Sequence, residues 1–154
     1  MEVEFHANMS DSATYHVSRA LGPVLEPLGV QLSGEYGGVM EHLWIDLELV
    51  ESHAKPDGKP RHPFRLQKRV SGVAPFGLPP MPDQFNVGHF SVRPDFKRIA
   101  SLPVEEAVAY ALSLIYQSLD ILQEKKKKLG GFDAQLFRER FKTTCETLGY
   151  PCGA

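Results

Sequence analysis

The stretch VMEHLWIDLELVES, which begins at Val39, constrains the fold more than any other part of the chain. Val39, Leu43, Ile45, Leu47 and Leu49 alternate there with His42, Trp44, Asp46 and Glu48. A period of two over this length is the mark of a strand with one face on a core and the other toward water. Beyond it, His53 to Pro60 contains Lys55-Pro56-Asp57-Gly58-Lys59-Pro60. That is a turn composition, because proline fixes φ and glycine supplies positive φ. Phe64, Leu66 and Val70 then alternate with Arg65, Gln67 and Arg69. Two alternating runs across such a turn predict an antiparallel hairpin.

Parity puts Asp46, Glu48, Arg65 and Arg69 on one polar face if the apolar sets share the other. Opposite charges across a sheet contribute about 0.2–1 kcal/mol per pair. A solvated face laced with ion pairs accounts for those four residues without any function. Trp44 is a different matter. A tryptophan flanked by arginine and carboxylates has the composition of an interface hot spot.

Around this hairpin the pattern is helical. Ser10, Asp11 and Ser12 offer N-caps, and Val17, Leu21, Val24, Leu25 and Leu28 follow at helical spacing, with Gly29 as a stop. Pro23 lies inside this stripe, which predicts a kink or two short helices. Gly34, Gly37 and Gly38 precede a strand and read as a turn or bulge. Residues 71–84, SGVAPFGLPPMPDQ, are too rich in proline and glycine for regular structure, and their Phe76, Leu78 and Met81 either cover the core or are presented to a partner. Phe85 to Val92 reads as a short strand whose Gly88 marks a bulge or a close backbone approach.

The last third contains two helices. Pro103 suits a first turn, and Val104, Val108, Ala111, Leu112, Ile115, Leu119 and Leu122 form a stripe that would lie across the sheet. Lys125 to Lys128 complement that helix's negative end before Gly130 and Gly131 close it. Asp133 caps a final helix, Phe132 and Phe137 have the spacing of a hydrophobic staple, and Phe137, Phe141, Cys145 and Leu148 form its buried side. The expected architecture is α+β: an antiparallel sheet of three or more strands with helices packed on one face.

At 154 residues the chain suits a single domain over 1–154, large enough to fold without a disulfide or metal. Its 17 basic and 19 acidic side chains nearly cancel, so it has no general attraction for phosphate backbones and no nucleic-acid partner is expected. No apolar run approaches the roughly 18 residues that span a bilayer, so no membrane partner is expected either. The N-terminal MEVEFHANMSDS shows no secretory signal, and Cys145 and Cys152 match neither a disulfide framework nor a zinc signature. These features predict a cytoplasmic protein.

Signatures of chemistry are missing. There is no glycine-rich phosphate loop, no Gly-x-Ser-x-Gly elbow, no His-Glu-x-x-His helix and no calcium loop. The six histidines, at 6, 16, 42, 53, 62 and 89, are scattered. His42 and His89 are the candidates for a general base, with Asp46 or Glu48 as orienting carboxylate. Cys145 falls late in a helix, where the dipole disfavours a thiolate. The sequence therefore predicts no catalytic residue, no cofactor and no metal.

The segments EHLWIDLELVES, HPFRLQKRVS and FNVGHFSVRPDF, within residues 39 to 96, resemble small cytoplasmic immunity proteins encoded beside bacterial polymorphic toxins. The resemblance implies a non-enzymatic module that binds a cognate toxin and covers its active site. Trp44, Asp46, Glu48, Arg65, Arg69, Phe76 and Met81 are the expected partner-binding residues. Trp44 would anchor the complex while the charged rim steers encounter. A secretion chaperone is one alternative. Another is a small enzyme or ligand-binding protein with its pocket between the sheet and the proline-rich loop. The same exposed apolar residues would serve a homodimer.

Overall fold

The computed structural model describes residues 1–9, 12–38, 40–49, 64–68, 86–120, 122 and 131–150. The chain opens with β1 (Glu2–Met9) and passes through a 3-10 turn (Ser12–Thr14) into α1 (Tyr15–Leu32). The strands β2 (Met40–Leu49), β3 (Phe64–Lys68) and β4 (Asn86–Val92) follow. Among the described residues three helices complete the order: α2 (Phe96–Ser101), α3 (Val104–Ser118) and α4 (Ala134–Thr147).

The class is α+β, but the sheet is not the expected antiparallel one. Among the described residues its four strands run in the order β1-β2-β4-β3. β1 and β4 both pair with β2 in parallel, and β3 pairs antiparallel with β4. Among the described residues β2 and β3 therefore do not form the expected hairpin, because β1 and β4 flank β2. Alternation misled here for a physical reason. Parallel sheets are usually covered on both faces and read as continuous apolar runs, whereas β2 has the one-sided pattern of an antiparallel strand. Its pattern is nonetheless realised: Leu43, Ile45, Leu47 and Leu49 are buried, while Trp44 is exposed and His42, Asp46 and Glu48 are half-buried.

β1, α1 and β2 form a βαβ unit, the connection that parallel neighbours require. Val17, Leu21, Val24, Leu25, Leu28 and Leu32 are buried, at the spacing the sequence shows. Pro23 and Pro27 both lie inside one helix, so Pro23 does not divide it in two. Nor does Gly29 end it. A Cβ at that position would come within 2.8 Å of the Val3 carbonyl oxygen, so the glycine allows α1 to lie against β1. Thr14 is buried, and its hydroxyl donates to the Leu49 carbonyl at 3.1 Å, tying the start of α1 to the end of β2. Thr14 takes the N-cap position without a side-chain cap bond, whereas Ser10 and Asp11 lie outside the described residues.

The inward faces of β1 and β2 join α1, α3 and α4 in one core, including Ile45, Leu21, Leu112, Phe137 and Phe141. Gly88 is a close approach, since a Cβ there would collide with the side chains of Met40 and Leu43. Asp133 caps α4 by accepting from the Leu136 N–H at 3.0 Å, and the Phe132 and Phe137 rings lie 5.9 Å apart beside it. Asp95 caps α2 in the same way, accepting from Arg98 at 3.2 Å. Among the described residues no helix is long and apolar enough to cross a membrane.

Candidate functional site

In a sheet, residues level with one another on neighbouring strands share a face. Glu4, Trp44, His89 and Arg65 occupy one such row. Glu2 lies level with His42 in a neighbouring row, and His6 with Asp46 and Ser91 on the other side. Asn8 lies level with Glu48. Trp44 thus has four neighbours on its face: Glu4 and His89 across the ladder, and His42 and Asp46 along its own strand. It is 39% exposed, an indole set in a ring of ionisable groups.

Those groups are paired. His89 Nε2 lies 2.5 Å from Asp46 Oδ2, and Arg93 Nε lies 3.6 Å from Glu48 Oε2. His42 Nδ1 is 3.4 Å from Glu2 Oε2, and His6 Nε2 is 3.3 Å from Glu4 Oε2. The arrangement corrects the expected placing of Arg65 opposite Asp46 and Glu48 across a hairpin. β3 is two strands away from β2, about 10 Å at the usual strand spacing, so Arg65 is level with His89 and not beside Asp46. Arg69, Phe76 and Met81 lie outside the described residues. Trp44, Asp46 and Glu48 come together on the face as expected.

β1 adds Glu2, Glu4 and His6, and the chain just after β4 adds Arg93; the sequence reading had not enlisted these four. The signal for β1 was present. Val3, Phe5 and Ala7 alternate with Glu2, Glu4 and His6, a short period-two run. Arg93 left no comparable trace, since its pairing depends on β4 lying beside β2.

Chemically, the face can offer an aromatic anchor and a rim of charge. The close contact between Asp46 and His89 is also the arrangement of a carboxylate that orients an imidazole. Among the described residues no hydroxyl or thiol is hydrogen-bonded to His89, and no group of three or more His, Cys, Asp or Glu side chains is placed to hold a metal ion. Cys145 is buried in α4, away from this face. Compared with protein-family models, curated proteins and solved structures, the chain matches none of them.

Proposed function

We propose that the chain is a protein-binding module acting through the polar face of its sheet, as an immunity protein that covers the active site of a bacterial toxin in the cytoplasm. One observation carries the reading: Trp44, 39% exposed, sits at the centre of a ring of paired acidic and basic side chains. A large aromatic surrounded by polar groups that exclude water is the arrangement that concentrates binding energy. The charged surroundings would steer encounter and penalise wrong partners.

The test is co-purification of the tagged chain from its native host, followed by expression of the captured partner alone and together with the chain. A partner toxic alone and harmless with the chain is expected. Trp44→Ala should remove that protection, with a loss of about 2 kcal/mol or more in binding, while melting within a few degrees of the parent. A captured partner that is harmless alone, or a variant that unfolds, would overturn the reading. A client held in an extended, protease-sensitive state would point to a secretion chaperone.

The Asp46–His89 contact favours a second reading, an enzyme with His89 as general base. His89→Gln would then eliminate turnover by the purified chain while leaving its melting temperature within a few degrees of the parent.

A further inference from the structure

We infer that the free edge of β1 and the cleft it forms with α1 are a second docking surface, shaped to take an extended basic segment of a partner protein as an added strand. Among the described residues β1 is an outer strand of the sheet, with β2 on one side only. The Val3 N–H donates to Ser33 Oγ at 3.0 Å, and the Gly34 N–H donates to the Met1 carbonyl at 3.0 Å. The end of α1 and the turn after it therefore cover the first part of this edge. Along a strand the N–H and C=O of one residue point to the same edge, and the edges alternate. Phe5 and Ala7 are the next positions in the series. Among the described residues neither has a backbone partner outside the sheet ladder. A row of such groups is a template for strand addition.

Next to this edge lies a cleft of about 710 Å³, whose walls include Phe5 and Ala7 from β1 and Gly22 from α1. A Cβ at Gly22 would meet nothing within 4 Å, so the helix leaves room there for an incoming side chain. Glu2, Glu4 and Glu26 also line the cleft, and His6 is the one basic side chain among its lining residues. That charge selects the occupant. Lysines or arginines at alternate positions of an extended segment would meet the carboxylates, while apolar residues between them entered the gap at Gly22. A second copy of the chain would bring a second set of these same carboxylates, which like-charge repulsion opposes.

This surface meets the Trp44 face at Glu2, Glu4 and His6, so the two readings are told apart at Gly22 and at the backbone edge, which belong to the cleft alone. The probe is a fluorescein-labelled heptapeptide of alternating lysine and valine, followed by anisotropy with the full chain. A second peptide has glutamate in place of lysine, and a third is the lysine peptide with every second amide N-methylated. The lysine peptide should bind at least about tenfold more tightly than either control. Gly22→Leu builds a side chain into open space and raises helix propensity, so it should fold and weaken binding by a similar factor. Glu4→Lys combined with Glu26→Lys should invert the preference between lysine and glutamate peptides. Trp44→Ala should leave the lysine peptide's affinity unchanged. Equal affinity for all three peptides, or binding that Gly22→Leu does not alter, would overturn the proposal. So would a chain that sediments as a dimer until Gly22→Leu makes it monomeric, since the edge would then belong to a second copy.

Discussion

Asp46 could have met an arginine across a hairpin, and it meets His89 instead. The choice has a measurable signature, because the two arrangements place different groups within reach of one carboxylate. With the Asp46 and His89 side chains 19% and 30% exposed, their 2.5 Å contact is neither fully solvated nor deeply buried. A double-mutant cycle with Asp46→Ala and His89→Ala should give a coupling of about 0.5–1.5 kcal/mol in urea unfolding. The same cycle with Arg65→Ala should fall within about 0.3–0.5 kcal/mol of additivity. Strong coupling to Arg65 with none to His89 would restore the hairpin and refute the strand order. Trp44, Asp46 and Glu48 were legible in the sequence because face assignment needs only parity within one strand. Their partners were not, because partnership depends on which strand lies alongside, and local alternation carries no record of that.

Among the elements, α1 shows how packing overrides local preference. Pro23 removes a donor that would otherwise serve the carbonyl four residues earlier, yet the helix runs unbroken from Tyr15 to Leu32. Six apolar side chains on one stripe hold it to the sheet and the other helices, which explains why the expected kink or break did not divide it. Pro23 is exposed, so replacing it by alanine sacrifices no core contact. Proline costs about 3 kcal/mol in a helix interior, part of it offset because proline also stiffens the unfolded chain. Pro23→Ala should therefore stabilise the protein by about 1–2 kcal/mol. The check is a higher urea midpoint at unchanged slope; a lower midpoint would show that α1 needs the proline geometry. β1 was missed at this scale because its run is short and its inward side chains include small Ala7. The caps of α4 and the buried side of that helix were legible, since Asp133, Phe137, Phe141 and Cys145 act within a single turn or stripe.

At the scale of the whole molecule, β2 is the member that everything else surrounds. It has parallel partners on both sides, and its inward residues Leu43, Ile45, Leu47 and Leu49 belong to the same core as α1, α3 and α4. Both parallel pairings join residues far apart in sequence, so neither forms ahead of the rest at small entropic cost. This also explains why the topology was the least legible feature: long-range pairing is decided by the sum of the packing and by no single segment. Such a core should melt as one unit. Trp44, the single tryptophan, reports on the sheet face, while far-UV circular dichroism reports mainly on the helices. The two signals should give superimposable urea curves, the usual test of a cooperative transition. Leu43→Ala should shift both curves together, by about 2–5 kcal/mol, because it opens a cavity where the sheet meets the helices. A tryptophan signal that moves at lower urea than the helical one would separate sheet from helices and divide the core. Coincident curves that shift together would establish that the polar face is held by the whole fold, as a preorganised binding surface must be.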